Sequence, residues 1–415
     1  MRFIADFHIH SRYSRATSSS MELDSLDKWA KIKGIKVLGT GDFTHPEWFG
    51  NLKEKLRPAE AGLFKLKDTD SETRFILTAE ISCIYSKKGS VRKIHVILFA
   101  PSFEAAEKIN VQLSWIGNIK SDGRPILGLD AKELAKIVLN TSNECLVIPA
   151  HCMTPWFAIF GSKSGFDSIE ECFEEYSKYI YAMETGLSAD PAMLWRIPDG
   201  RKVALISNSD SHSPQKMGRE ANVFDTDVSY PSIAEAIKSK DPKKFLYTVE
   251  FYPEEGKYHY DGHRACEIRF SPQETKKYNG ICPVCGRPLT VGVLNRIEKL
   301  ADKEEGYIPE GVIPFKSLVP LEEIIADVLN QGTGTKEVEK QYQNLISNFG
   351  SEFNVLLDAT KEQMSGAVLP EIVEGIIKVR KGEVFKEPGY DGIYGKIKVS
   401  SQGEQKKVNL QDTLF

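Results

Sequence analysis

The stretch that decides the fold is Phe3-Ile4-Ala5-Asp6-Phe7-His8-Ile9-His10, an apolar run of strand length that closes on two histidines one residue apart. Side chains alternate faces along a strand, so His8 and His10 point the same way. The same event recurs down the chain. The run 36–39 is followed by Asp42 and, three residues later, His45; the run 75–79 by Glu80; 145–149 by His151; 179–183 by Glu184; and 203–207 by Ser209-Asp210-Ser211-His212. Asp210 and His212 share a face by the same alternation. The run 94–100 differs, because His95 lies near its beginning and becomes a ligand only if that strand is displaced or reversed.

Helical patterns separate these runs. Leu23, Leu26, Trp29 and Ala30 repeat at helical spacing before Gly34, and Asp130 with Glu133 reads as a capping box opening Leu134, Ile137 and Val138. Alternating strands and helices predict an α/β domain with a largely parallel sheet over residues 1–253, as a barrel or doubly wound. In a parallel barrel the C-terminal strand ends converge on one mouth. Imidazoles and carboxylates arriving there from successive strands make a ligand set for more than one divalent metal.

Beyond Pro253-Glu254-Glu255-Gly256 the composition shifts. Residues 254–300 are poor in long apolar runs and carry His263-x-x-Cys266, fifteen residues, then Cys282-x-x-Cys285, the spacing of a structural zinc module. His263, His259 and Asp261 all compete for its fourth position. Residues 301–400 read as mainly helical: Pro320 precedes Ile324, Ile325, Val328 and Leu329, and Pro370 opens a helix stopped by Gly382. Residues 401–415 read as a flexible tail.

Composition narrows the function classes. The chain has 415 residues, 27% of them charged, with a net charge of −4, which excludes gripping nucleic acid by bulk charge but leaves room for a local basic face. Seven cysteines, mostly scattered singly, do not make a disulfide framework. Met1 runs into Arg2-Phe3-Ile4 without the apolar core of a signal peptide, so a cytoplasmic protein with no membrane partner is expected.

The series His8-x-His10, Asp42, Glu80, His95, His151 and Asp210-x-His212 resembles the polymerase-and-histidinol-phosphatase (PHP) family, in order and residue type. Within it, 40–46, 258–266, 279–288 and the order of domains most resemble the endonuclease Q family of PHP nucleases. The resemblance implies a distorted seven-stranded (β/α) barrel, with a small zinc module and a mainly helical C-terminal domain after it. It implies that His8, His10 and Asp210 hold one metal, that Glu80 bridges to a second held by His95 and His151, and that His212 belongs to a third. In two places the chain departs from the commoner family pattern. Ser14, Arg15 and Thr17 stand where a further histidine is frequent, and Phe43 follows Asp42 where histidine is common, with His45 as the candidate replacement.

From the resemblance, His8, His10, Glu80, His151, Asp210 and His212 are expected to carry catalysis. Two or three divalent ions would sit in the barrel, Zn first with Mn, Mg or Fe as alternatives, and one structural Zn in the module. The activity implied is metal-dependent DNA cleavage 5′ to a deaminated base (hypoxanthine, uracil, xanthine) or an abasic site, with the base flipped out of the stack. The partner would be single- or double-stranded DNA carrying such bases. A small-molecule phosphatase of the histidinol-phosphate type is the alternative. Finally, Gln411, Leu414 and Phe415 form a Gln-x-x-Leu-Phe ending that resembles a shortened sliding-clamp-binding peptide.

Overall fold

A computed structural model describes residues 1–399. The run that opens the chain forms β1 (Arg2–Asp6), which ends before the two histidines, and Ile9 between them makes an isolated parallel bridge to Ser211. β1 pairs in parallel with β2 (Val37–Gly39), and β2 in parallel with β3 (Arg74–Lys87). β3 then turns back on β4 (Ser90–Ala100) as a long antiparallel hairpin, and β4 pairs antiparallel with β5 (Leu146–Pro149). Two short parallel strands, β6 (Ala182–Glu184) and β7 (Ala204–Ile206), follow. Cys152 N donates to Glu184 O at 2.9 Å on one side of this pair, and on the other the Asn222 amide bonds both Ser207 N and Ser207 O. On the other flank of β1 lie β8 (Ala221–Asp225) and β9 (Phe245–Glu250), both antiparallel, then β10 (Phe315–Ser317), parallel to β9. The sheet is therefore mixed, with parallel pairs beside β1 and again at the β9–β10 edge.

Alternate residues of the strands fill one apolar cluster, including Phe3, Ala5 and Phe7, Ile97 and Phe99, Leu146 and Ile148, Ala204 and Ile206. That is the period-two alternation of strand side chains. A larger cluster joins the other strand faces to the helices. Helix α1 (Leu23–Lys33) buries Leu23, Leu26 and Ala30 and stops at Gly34, whose φ of 88° puts it in the left-handed region. Helix α2 (Phe103–Ile116) is capped by Ser102. Helix α3 (Ala131–Thr141) starts at Asp130, but the cap reaches Lys132 N, so it is a simple cap in place of the expected box.

After β9 comes a short antiparallel hairpin, Asp261–His263 with Ile268–Phe270, then α4 (Val293–Leu300). The helices α5 (Leu321–Leu329), α6 (Lys336–Phe349) and α7 (Pro370–Arg380) follow, with Pro320 and Pro370 at the starts of α5 and α7 as expected. Among the described residues no helix is long and apolar enough to cross a membrane. The expected clamp-binding residues Gln411, Leu414 and Phe415 lie outside the described residues.

Candidate metal centre

Strand ends bring the site together, and sharp turns aim it. A parallel bridge, Ile9 with Ser211, lays the end of β1 beside the segment after β7; His10 N donates to Ser211 O at 2.9 Å. Asp42, His151 and Asp210 each leave their strands with positive φ (50°, 27° and 46°), a conformation that costs a non-glycine residue free energy and collects at functional sites. Beside them Gly41 admits no side chain, since a Cβ there would lie 2.3 Å from Ile9 O.

Glu80, 1% exposed, sits at the centre and divides its two oxygens. Oε2 faces His8 Nε2 at 3.4 Å and His10 Nε2 at 3.2 Å; Oε1 faces His95 Nδ1 at 2.7 Å and His151 Nε2 at 3.1 Å. Asp210 Oδ1 completes the first set, 3.1 Å from His10 Nε2 and 3.7 Å from His8 Nε2. In each set, His8-His10-Glu80-Asp210 and Glu80-His95-His151, the donor atoms lie within 4.8 Å of one another. His95 joins because β4 is reversed, the condition the sequence left open. Ring nitrogens and carboxylate oxygens in this mixture suit zinc and its first-row neighbours. His8 Nε2, His10 Nε2 and Asp210 Oδ1 are buried yet lack hydrogen-bond partners. Unsatisfied buried polar atoms are costly unless something satisfies them, and three converging on one point fit a cation.

Behind the ligands stands a ring of orienting groups. A carboxylate only accepts, so His8 Nδ1 donates to Glu184 at 3.0 Å and His10 Nδ1 to Asp42 at 3.0 Å. Each bond fixes the tautomer that turns an Nε2 lone pair inward. Asn208 Nδ2 and His151 N also donate to Glu184, while Ser11 and Ser14 hydroxyls donate to Asp42 Oδ2. Burial pulls the His8 imidazole down, but Glu184, Glu80 and Asp210 outweigh it and hold it well above the ordinary histidine value. His95 is the opposite case: burial takes it down to about 4, keeping a neutral ring beside Glu80.

Three expected ligands stand apart from both sets. Asp42 spends its carboxylate on His10, Ser11 and Ser14, behind the ligand. His45 donates Nε2 to Lys120 O at 3.2 Å and stacks on Tyr13. His212 packs against His10, ring centroids 4.5 Å apart, and its Nδ1 donates to Asp210 O at 2.9 Å.

In the hairpin module His263, Cys266, Cys282 and Cys285 bring four donor atoms within 4.8 Å of one another. The backbone N–H groups of Cys285 and Val284 outweigh desolvation and bring the Cys282 thiol down to about 7, toward the thiolate a metal needs. The rival ligands are elsewhere. Asp261 accepts from Gly292 N and Asn295 Nδ2, and buried His259 stacks on Tyr260.

The fold is shared with a known enzyme. The lesion-specific endonuclease PfuEndoQ from Pyrococcus furiosus superposes with a TM-score of 0.86 and 32% identity, covering 99% of both chains. The chain belongs to the endonuclease Q family. By that membership it is a metal-binding endonuclease. An endonuclease Q complex with a 27-mer duplex substrate bearing an abasic lesion at the active site matches equally, with a TM-score of 0.85 and 32% identity over 99% of each chain. YqxK of Bacillus subtilis is 29% identical over 417 residues, 96% of this chain and 99% of that protein. MJ0043 of Methanocaldococcus jannaschii is 35% identical over 260 residues, but the match spans only 32% of its length. A family model described as the MJ0043 C-terminal domain matches residues 320–383.

Within this endonuclease Q chain, sequence reasoning left out Arg124, whose Nη1 donates to Glu80 Oε2 at 3.1 Å. It also gave Glu184, Asn208, Ser11 and Ser14 no place behind the ligands. Arg124 lies just before a strand of two residues, Ile126–Leu127, too short to leave a period, so nothing in the sequence singled it out.

Proposed function

We propose that the chain hydrolyses the phosphodiester 5′ to a deaminated base or an abasic site in DNA, within DNA repair, using divalent metal ions at its two histidine–carboxylate sets. The observation that carries this reading is the divided Glu80 carboxylate between two sets of ring nitrogens, in a chain whose relatives include a lesion-specific endonuclease. His8, His10, Asp210 and Glu80 would hold one ion, and Glu80, His95 and His151 the other. When bound, such ions supply Lewis-acid polarisation of the phosphoryl group and acidify a water molecule.

The chain's own residues do the positioning. Glu184 and Asp42 hold Nδ1 of His8 and His10 so that each Nε2 is turned inward, and Thr154 Oγ1 and Ser82 Oγ do the corresponding service for His151 and His95 at 3.1 Å each. Zinc held by His263, Cys266, Cys282 and Cys285 would close a module that has little apolar core of its own. A deaminated base shows its altered edge only outside the stack, so flipping is part of the proposal. Seven free cysteines suit a reducing cytoplasm.

A plasmid-nicking assay on uracil-containing DNA, run beside phosphomonoester hydrolysis with and without chelator, tests the reading. Chelator-sensitive nicking with negligible monoesterase activity is expected. Monoesterase activity without nicking would favour the histidinol-phosphate type of reaction instead, for which a zinc module and a helical extension have no evident use.

A further inference from the structure

The loop 117–125, after α2, is fastened over the first ligand set. Gly123 N donates to Tyr13 O at 3.0 Å, Thr44 Oγ1 donates to Gly123 O at 3.4 Å, and His45 Nε2 reaches Lys120 O. Contact is so close at Gly123 that a Cβ would lie 2.2 Å from Asp42 Oδ2 and 2.3 Å from Ser14 Oγ. Asp122, 8% exposed, locks the loop from within: Oδ1 accepts from Arg124 N at 3.1 Å and Arg15 N at 3.4 Å, and Oδ2 pairs with Arg15 Nε at 3.2 Å. The loop thus sets the Arg124 guanidinium against the ligand Glu80 and holds that of Arg15, largely exposed, on Asp122.

Arg124 is the inner one. Its Nη1 donates to Glu80 Oε2, the oxygen that faces His8 and His10, and among the described residues its side chain makes no other hydrogen bond to protein. A guanidinium carries several N–H donors in a fork that matches phosphate. Arg124 has most of them uncommitted, in a side chain 28% exposed. As a mere partner of Glu80 it would be a poor choice, because a cation on a carboxylate draws charge away from a metal sharing that carboxylate. Its use must lie on the open side.

We propose that Arg124 is a catalytic residue that donates to a non-bridging oxygen of the scissile phosphodiester, with Arg15 holding the neighbouring phosphate. The proposal rests on the endonuclease reading above. Hydrolysis adds negative charge to the phosphoryl oxygens on the way to the transition state, and a fixed donor there stabilises it more than the ground state. Lysine would keep the charge but lose the fork.

The test uses Arg124→Ala, Arg124→Lys and Arg15→Ala, assayed on lesion duplexes and weighed for metal by elemental analysis. Arg124→Ala should lower kcat/KM by about 100- to 1,000-fold with metal content unchanged, and Arg124→Lys should recover only part of it. Binding is then compared between a normal lesion duplex and one with a neutral methylphosphonate at the scissile position. Neutralising that phosphate should weaken wild-type binding about tenfold more than it weakens Arg124→Ala binding, as a shared contact requires. Equal losses in wild type and variant, or loss of metal in both Arg124 variants, would overturn the proposal and reduce Arg124 to a support for Glu80. Failure of the endonuclease reading would show differently, as a wild-type protein that nicks no lesion duplex at all.

Discussion

His8 reaches the cluster already oriented, its Nδ1 bonded to Glu184 and its Nε2 facing Glu80 and Asp210. Losing a ligand and losing an orienting group should therefore differ in degree. Asp210→Ala or His8→Ala should abolish cleavage while lesion-DNA binding largely survives; turnover retained at matched metal loading would sink the assignment. Glu184→Gln and Asp42→Asn should weaken metal affinity about 10- to 100-fold and leave some activity, measured by titration against a competing chelator. The residues now seen together, His8, His10, Glu80, His95, His151 and Asp210, were legible because strand alternation and strand ends leave a pattern along the chain. Asp42 was legible as a site residue but not as one standing behind His10, because spacing gives a face and not a distance. Arg124 was illegible because loops carry no period.

At the scale of elements, β3 and β4 show what the sequence withheld. An apolar run reads the same in either direction, and only the antiparallel register, Ser82 opposite His95, brings that histidine to Glu80. The knuckle spacings, by contrast, announced the gathering of His263, Cys266, Cys282 and Cys285 outright. Cys282→Ser should release about one zinc per chain and loosen residues 257–295 before the sheet, because metal binding supplies that module's folding free energy; hydrogen exchange and metal analysis check both halves. β9 ends in Glu250, fully buried, where burial outweighs hydrogen bonds from Thr248, Thr185 and Ser207 and, with Asp190, raises the carboxyl to about 8. The folded state thus keeps a proton that the unfolded chain releases near its ordinary value of 4.5. Stability from this group is whole below that value and falls as pH rises toward 8, by about 1.4 kcal/mol for each pH step of one. Glu250→Gln, neutral throughout, should lose this slope, so its Tm should gain on wild type from pH 5 to 8. Parallel Tm curves would contradict the assignment.

Across the whole molecule, the C-terminal helices are bound to the sheet-bearing part by buried polar contacts as well as apolar ones. Lys33 of α1 donates to Glu352 at 2.6 Å, and Tyr342 OH and Leu321 N donate to the same carboxylate. Removing one partner leaves a buried charge uncompensated, so Lys33→Met should cost about 3–5 kcal/mol in urea unfolding, with part recovered by adding Glu352→Gln. A cost below about 1 kcal/mol would mean the pair contributes little. The sequence showed helices in this region but not their partner, since a long-range ion pair has no local signature. The divided Glu80 site is proposed to cleave DNA at lesions, and the products of defined lesion duplexes test this. End-labelled duplexes carrying a single hypoxanthine, uracil or abasic site, or no lesion, are incubated with Mg²⁺, Mn²⁺, Zn²⁺ or chelator, and the products are sized. One nick, 5′ to the lesion, is expected in the lesion duplexes with metal only. Cleavage of undamaged duplex at a similar rate, or nicking that persists in chelator, would contradict it.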